Sequence, residues 1–167
     1  MIIETATMDT PAGPLTLIAD NDAVIAAGFT PDATPLRARL SLRHRAVDVV
    51  DRRELGAITA AVEAYFAGDV RAIDRLPVGQ PGGPFVTEAW QALRDIPAGS
   101  TLTYTQLAGR AGRPAAVRAA GSACARNLIA PIVPCHRALR SDGSLGGYYW
   151  GLPVKRWLLA HEARHAA

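Results

Sequence analysis

Residues 103–127 read TYTQLAGRAGRPAAVRAAGSACARN, and this stretch sets the expected fold of the second half of the chain. Thr103 is suited to cap a helix over about 104–111, because its hydroxyl can accept a hydrogen bond from a free N–H of the first turn. A Gly-Arg pair then makes a turn, and Pro114 suits the first position of a second helix over 115–127. The spacing predicts a helix-turn-helix.

The second of these helices, 115–127, consists mostly of alanine, glycine and serine. Small side chains let its backbone approach a neighbouring surface closely, and two of its few long side chains, Arg118 and Arg126, are cationic. These features favour a helix that faces an anionic ligand. A helix that only packs inside its domain is the alternative, since the same geometry also occurs in plain helical bundles.

Charge is distributed unevenly along the 167 residues. Residues 1–80 carry 8 basic and 11 acidic side chains, whereas residues 81–167 carry 10 and 4, so the net charge of +3 conceals a basic second half. Residues 96–141 hold six arginines and no acidic side chain. This asymmetry predicts an anionic partner for the second half.

Composition restricts the class of protein. An apolar share of 49% is enough for a packed core and argues against disorder. No apolar run approaches the roughly 18 residues of a membrane helix, and the start, Met-Ile-Ile-Glu, lacks the features of a secretory signal, so we expect a cytoplasmic protein. Two cysteines, Cys124 and Cys135, do not make a disulfide framework, and each is a buried small side chain or a reactive thiol.

Two domains are expected. Short runs of β-type residues predict strands near 2–8, 15–19 and 24–29, and apolar residues at helical spacing over 55–66 predict a helix that stops at Gly68. Residues 75–84 hold three prolines and three glycines, which is typical of a linker. We therefore predict an α+β protein with these parts: an acidic domain over 1–78, a linker over 79–84 and a basic, helical domain over 85–167.

The sharpest local feature is the segment 132–137, Ile-Val-Pro-Cys-His-Arg, which delivers a thiol, an imidazole and a guanidinium at consecutive positions. Adjacent side chains diverge, but a water molecule between Cys135 and His136 can carry a proton. The charge of Arg137 favours the thiolate form of the cysteine. The pattern predicts an activated nucleophile, and a buried structural cysteine beside a satisfied histidine is the alternative.

Residues 142–151, Asp-Gly-Ser-Leu-Gly-Gly-Tyr-Tyr-Trp-Gly, combine a flexible backbone with three adjacent aromatic side chains. Such a loop is suited to walling a planar ligand, and a core-packing corner is the alternative. A last helix follows Pro153 and delivers Glu162, the only acidic residue after Asp142. Its carboxylate is a candidate to orient His136, although an exposed glutamate at a helix end is the commoner case.

Taken together, these motifs resemble the O6-alkylguanine-DNA alkyltransferases, also called methylated-DNA–protein-cysteine methyltransferases. The resemblance covers nearly the whole chain and rests on residues 10–17, 104–107, 116–119, 127, 134–137 and 158–162. It implies a ribonuclease-H-like α/β domain with a largely structural role. The second domain is then mostly helical and winged-helix-like, contains the helix-turn-helix, binds DNA and carries the active site.

The resemblance also implies a role for each matching residue. Cys135 takes the alkyl group from guanine O6 and keeps it, so each molecule acts once. His136 is the water-mediated base, and Glu162 holds His136. Tyr104 crowds a backbone phosphate, which helps to rotate the nucleotide, and donates a proton to the departing guanine. Asn127 hydrogen-bonds across the turn between the recognition helix and the active-site strand. No cofactor and no metal site are expected.

The implied partner is double-stranded DNA that contains O6-alkylguanine and is bound through its minor groove. The lesion leaves the duplex because a thiol does not reach O6 inside the base stack, and Arg118 takes its place. Small residues on the recognition helix give a physical reason why it can enter the narrow groove. The expected DNA contacts are Tyr104, Thr105, Gln106, Arg118, Ala119, Ser122 and Arg126, and the expected walls of the base pocket are Ala138, Tyr148, Tyr149 and Trp150.

Two departures from the family pattern are visible. Phe85-Val86 replaces an aromatic-Gln pair, and Tyr149-Trp150 stands where many members have small residues. Two bulky side chains should narrow the base pocket, so we predict that the protein prefers lesions with methyl over lesions with larger groups such as benzyl. We expect a monomer, and both cooperative binding along DNA and repair of O4-alkylthymine remain open.

Three other classes of protein compete with this interpretation. A non-catalytic alkyl-lesion binder of the same fold lacks the thiol, whereas Cys135 is intact here. A cysteine hydrolase needs an oxyanion hole and an acyl pocket that the sequence does not reveal. A helix-turn-helix regulator explains the charge but leaves Cys135, His136 and Glu162 without a purpose.

Overall fold

The structure is a computed structural model, and it describes residues 1–166. These residues form two compact units. The first comprises 1–80 together with 128–132, and the second comprises the rest of the described chain. No helix within 1–166 has the length and apolar character needed to cross a lipid bilayer.

A four-stranded sheet forms the centre of the first unit, in the order β3-β2-β1-β4. Its strands are β1 (Ile3–Met8), β2 (Leu15–Asp20), β3 (Ala23–Gly28) and β4 (Val49–Asp51). The first three are antiparallel neighbours, and β4 lies parallel to β1. Asn21 makes the β2–β3 turn at a φ of 54°, a conformation that asparagine tolerates better than most residues. The three strands predicted from sequence are confirmed within one residue at each end.

Three helices complete the first unit: α1 (Thr34–Arg37), α2 (Leu42–Arg45) and α3 (Ala57–Phe66). The predicted long helix is α3, and it buries Ile58, Val62 and Tyr65. Gly68 ends it at a φ of 118°, while the N–H of Asp69 donates to the carbonyl of Ala64 at 2.9 Å. This is the glycine-dependent helix end that the sequence predicts.

Residues 128–132 belong to the second half of the sequence, but they pack as part of the first unit. The N–H of Ala27 in β3 donates to the carbonyl of Leu128 at 2.8 Å, and the N–H of Ala130 donates back to Ala27 at 3.0 Å. Gln80 also accepts the N–H of Leu128 at 3.0 Å. The apolar run before Pro134 therefore satisfies the open edge of β3, which a division of the sequence into consecutive domains does not anticipate.

The second unit is mostly helical. Its elements are α4 (Pro84–Arg94), β5 (Leu102–Thr103), α5 (Tyr104–Arg110), α6 (Val117–Arg126), a 3-10 turn (Cys135–Arg137), β6 (Ala138–Leu139) and α7 (Leu152–His165). The short strands β5 and β6 pair in parallel, so the starts of α5 and of the segment after Arg137 lie side by side. Trp90 of α4 fixes α6 by donating its indole N–H to the carbonyl of Ala123 at 2.9 Å.

The helix-turn-helix consists of α5 and α6. Thr103 caps α5 as predicted, because its hydroxyl accepts the N–H of Gln106 at 3.1 Å and the Gln106 side chain accepts the N–H of Thr103 at 2.8 Å. The prediction that Pro114 opens the second helix is wrong, since α6 begins at Val117. Pro114 lies in an intervening turn, which closes where the N–H of Ala116 donates to the carbonyl of Arg113 at 2.9 Å.

Candidate active site

Cys135 opens the 3-10 turn and is 8% exposed. The side-chain amide of Asn127, at the end of α6, donates to the carbonyl of Val133 at 2.7 Å and to the Cys135 sulfur at 3.3 Å. The first bond ties α6 to the segment that carries the cysteine, which is a turn and a 3-10 turn, whereas a strand was expected there. The second places a hydrogen-bond donor on the sulfur, which stabilises negative charge there.

His136 is fully buried and pairs with Glu162 of α7. The Nε2 atom lies 2.8 Å from the carboxylate Oε2. Burial lowers the pKa of His136, with a further lowering from the charges of Arg137 and Lys155, while Glu162 opposes the shift. The imidazole is therefore neutral near pH 7, Nε2 donates its hydrogen to Glu162, and the lone pair is on Nδ1. That Nδ1 atom is buried and has no hydrogen-bond partner within residues 1–166.

Arg137 binds the same carboxylate from the other side. Its Nε donates to Oε1 of Glu162 at 2.8 Å, its Nη2 donates to Oε2 at 2.9 Å, and its Nη1 donates to the carbonyl of Ile96 at 2.6 Å. The guanidinium is buried, and it is directed at Glu162. Arg137 thus fixes the orienting carboxylate, a role different from the thiolate-stabilising charge that the sequence suggested.

Glu162 is ionised in this setting. Burial by itself raises the pKa of the carboxyl group, but the hydrogen bond from His136, the two hydrogen bonds from Arg137 and the charge of Arg137 outweigh it. The net result is a pKa well below the ordinary value for glutamate. An exposed helix-end glutamate, the commoner case for such a residue, is excluded because Glu162 is 1% exposed.

Cys135 lines a cavity of about 330 Å³. The other lining residues are Tyr104, Gly121, Cys124, Ala125, Arg140, Gly146, Gly147, Tyr148 and Tyr149. Of the four residues expected in the base pocket, Tyr148 and Tyr149 are present, and Ala138 and Trp150 lie outside the lining. Ala138 is fully buried in β6, where its carbonyl accepts a hydrogen bond from Lys155 at 2.8 Å.

Tyr104 stands at the first turn of α5 and lines the cavity beside Cys135. Burial raises the pKa of its phenol to about 12, so the hydroxyl keeps its proton near pH 7 and remains a donor. Gly146 lies directly against this ring, because a Cβ atom at position 146 would come 2.7 Å from the hydroxyl oxygen. Gly146 also has a φ of 70°, so a side chain there is disfavoured twice.

Lys155 is a residue that the sequence reasoning missed, and Cys124 is one of the two cysteines that it left undecided between a buried small side chain and a reactive thiol. Lys155 of α7 is fully buried, and its ammonium group donates to the carbonyls of Ala138, Leu145 and Gly147, which ties the aromatic loop to β6. Its spacing from Leu158 and Glu162 puts it on the buried face of α7, and it is the only lysine of the chain. Cys124 shares the cavity with Cys135, and burial raises the pKa of its thiol.

The residues expected to contact DNA lie on the surface of α5 and α6. Ala120 and Ala123 form the buried face of α6. Thr105, Gln106, Arg118, Ala119, Ser122 and Arg126 are all exposed. The hydroxyls of Thr105 and Ser141 lie 3.1 Å apart, so the start of α5 meets the loop that follows β6. No cluster of three or more potential metal ligands occurs in the described part of the chain.

The chain was compared with known proteins. Residues 3–80 match the family model described as the ribonuclease-like domain of 6-O-methylguanine DNA methyltransferase, and residues 84–164 match that of its DNA binding domain. The methylated-DNA–protein-cysteine methyltransferase of Salmonella typhimurium is 39% identical over 156 residues, which cover 92% of this chain and 91% of that protein. The chain belongs to the methylated-DNA–protein-cysteine methyltransferase family. The family resemblance drawn from its motifs is thereby confirmed.

Solved structures of methylated-DNA–protein-cysteine methyltransferases share its fold. The crystal structure of the Mycobacterium tuberculosis O6-methylguanine methyltransferase is 31% identical and superposes with a TM-score of 0.80, over 99% of this chain and 95% of that one. A second structure from that organism, solved in complex with DNA, is 32% identical with a TM-score of 0.79, over 97% and 94%. The predicted α+β class, a ribonuclease-like domain followed by a DNA-binding domain, is confirmed.

Proposed function

We propose that the protein repairs DNA directly, by moving an alkyl group, mainly methyl, from O6 of guanine in duplex DNA to its own Cys135. The observation that carries this proposal is the position of the thiol. Cys135 lines a cavity of about 330 Å³, receives a hydrogen bond from Asn127, and adjoins a buried imidazole held by Glu162. These are the parts of an activated nucleophile. A thioether has no easy leaving group, so the protein is consumed in the reaction.

The reaction needs only a proton acceptor and an in-line attack. The thiol proton of Cys135 passes through a water molecule to Nδ1 of His136, the buried nitrogen that carries the lone pair. The sulfur forms a bond to the alkyl carbon while the bond from that carbon to O6 breaks, and its electron pair stays with guanine. Asn127 stabilises the thiolate, and Glu162 stabilises the imidazolium until a proton returns to the departing base.

Two further residues act on the nucleotide. The phenol of Tyr104 remains protonated near pH 7, so it can donate to the guanine ring as the ring accumulates negative charge. Arg118 is exposed on α6, where a long side chain can fill the gap that the extruded base leaves in the stack. The small residues Ala119 and Ser122 flank it on the exposed side of the same helix, which suits close approach to a narrow groove.

The partner that follows from this proposal is duplex DNA bound through its minor groove by a single copy of the protein. The exposed arginines of α6 contact phosphates without reading base sequence, so binding is expected to weaken steeply with salt. Minor-groove readout is degenerate, and little sequence preference is expected. Such a substrate also assigns the protein to the compartment that holds DNA, the cytoplasm in a cell without a nucleus.

The decisive experiment is to incubate the protein with a duplex that contains O6-methylguanine and to measure its intact mass. We expect a stoichiometric gain of one methyl group in place of hydrogen, and none in Cys135→Ser. Trypsin provides an internal control, because cleavage after Arg118, Arg126 and Arg137 separates the peptide with Cys124 from the peptide with Cys135. Methyl on the Cys124 peptide, or no gain at all, contradicts the proposal, and tight binding without transfer instead indicates a lesion binder or a regulator.

A further inference from the structure

Arg140 is a cation at the reactive cavity that the mechanism above does not use. It follows β6 directly, its side chain is exposed, and it lines the same cavity as Cys135. Within residues 1–166 its guanidinium has no hydrogen-bond acceptor and no carboxylate at ion-pair distance. The nearby carboxylate of Asp142 accepts the N–H and hydroxyl of Ser144 on Oδ1, at 2.9 and 2.7 Å, and the charge of Arg140 acts on it only as a minor cause of its lowered pKa.

The backbone that carries Arg140 is fixed, although its guanidinium is available. The N–H of Arg140 donates to the carbonyl of Ser144 at 3.0 Å, and the N–H of Gly143 donates to the carbonyl of Arg140 at 2.9 Å. These two bonds close a tight loop after β6. The charge of Arg140 also acts on Tyr104, where it opposes the burial that raises the pKa of the phenol. Arg140 and Tyr104 both line the cavity.

Exposure indicates which part of a nucleotide would meet this cation. The alkyl carbon must lie against the sulfur of Cys135, a residue that is only 8% exposed, so the alkyl group lies at the inner end of the cavity. The sugar and its phosphates then stay toward solvent, where Arg140 is exposed. The exposed hydroxyls of Thr105 and Ser141, 3.1 Å apart, belong to the residues that follow Tyr104 and Arg140 in the sequence. The planar fork of a guanidinium matches two phosphate oxygens, and neighbouring hydroxyls add donors.

We propose that Arg140 is a positioning residue that binds a backbone phosphate of the extruded nucleotide and thereby holds the lesion in the cavity for attack by Cys135. This inference rests on the proposed function. It concerns the state after extrusion, so Arg140 contributes to the rate of transfer from bound DNA more than to the first encounter with the duplex. The alkyl group itself makes no contact with Arg140.

Two substrates separate this role from a general effect on the fold or on the chemistry. One is a duplex with O6-methylguanine at saturating concentration, and the other is the free base O6-methylguanine, which has no phosphate. For Arg140→Gln we expect transfer from the duplex to slow about tenfold, as for the loss of one charge-assisted hydrogen bond. Transfer from the free base should stay within about twofold of the unmodified protein, and Arg140→Lys should recover part of the rate.

Arg156→Gln is the matched control, because Arg156 is exposed on α7 and does not line the cavity. It should leave both rates unchanged. The inference is overturned if Arg140→Gln slows both substrates equally, if it slows neither, or if Arg156→Gln slows the duplex reaction as much. A loss confined to a duplex whose O6 group carries a carboxylate would show that Arg140 reads the alkyl group instead. If the unmodified protein transfers from neither substrate, the proposed function fails and the inference fails with it.

Discussion

Replacing Glu162 by glutamine tests whether the buried charges of the active site act as one unit. Glutamine keeps the size of the side chain and one oxygen for His136, but it removes the negative charge. Arg137 then retains a full positive charge while only 2% exposed, with the carbonyl of Ile96 as its one unchanged acceptor. Removing one partner of such a buried pair is much more costly than removing both.

The expected loss is about 3 kcal/mol, the lower end of the 3–5 kcal/mol typical of a broken buried ion pair, because the amide of glutamine still offers an acceptor. A loss of that size lowers the melting temperature by about 12–24 °C for a unit of 60–100 residues such as the second one. The double variant Glu162→Gln with Arg137→Met removes both charges and should regain about 2 kcal/mol relative to Glu162→Gln alone, provided that methionine fills the space of the guanidinium stem.

Tryptophan fluorescence during urea unfolding is a suitable assay. All three tryptophans, Trp90, Trp150 and Trp157, belong to the second unit, so the signal reports the unit that carries the site. The free energies of unfolding of the two single variants and the double variant then give the coupling between Glu162 and Arg137. Additive losses in the double variant would refute the reasoning, because they would mean that the two charges do not depend on each other.

The same variant has a defined pH dependence. The folded-state pKa of Glu162 lies below the ordinary value of 4.5, so its ionisation adds stability above about pH 4.5, and this contribution is lost as the pH falls toward the folded-state pKa. The stability difference between the unmodified protein and Glu162→Gln should therefore shrink by about 2 kcal/mol between pH 7 and pH 3. A difference that stays constant over this range would contradict the cited direction of the shift.

Three further predictions concern DNA, the loop and the pocket. Arg118→Ala should slow methyl transfer more than it weakens initial duplex binding, as measured by single-turnover kinetics beside a binding titration, and equal losses would contradict insertion into the stack. Lys155→Met leaves three carbonyls of the loop and of β6 without their shared donor, so it should lower the free energy of unfolding by about 1–3 kcal/mol and speed hydrogen exchange over 145–147. Unchanged exchange would contradict the role of Lys155 in holding the loop. Tyr149 lines the cavity and is 56% exposed, and we predict that it makes the transfer of methyl faster than the transfer of benzyl. Equal rates for the two lesions in the unmodified protein would overturn that idea, and so would an unchanged rate of benzyl transfer in Tyr149→Ala.

Local features of the fold were predictable from the sequence because their causes lie within a few residues. The cap at Thr103 needs only Gln106, and the end of α3 needs only Gly68. The start of α6 was placed too early because proline favours a turn as readily as the first position of a helix. The carbonyl of Arg113 accepts the N–H of Ala116, and this hydrogen bond stabilises a turn at Pro114 in place of the first turn of the helix.

The candidate site was predictable where a motif carries the information. Cys135, His136 and Glu162 follow from the family pattern, and the structure brings the last two within 2.8 Å. The direction of the Arg137 side chain was not predictable, because its acceptors are 25 and 41 residues distant in sequence. Ile96 and Glu162 reach the same guanidinium only in the folded chain, so the sequence around Arg137 does not predict these contacts.

The arrangement around Glu162 has opposing effects on the proton that Cys135 must lose. Arg137 fixes the carboxylate that orients His136, yet its charge also lowers the pKa of that imidazole. A neutral, weakly basic His136 disfavours a permanent thiolate–imidazolium pair before DNA binds. We infer that the ion pair forms when a bound guanine is ready to take the alkyl carbon's bonding electrons, and that the proton then passes on to the leaving base. The thiolate is the reactive form of cysteine. If His136 takes the proton only when guanine is bound, Cys135 stays a thiol until then and reacts less with other electrophiles, which matters for a residue that can react only once.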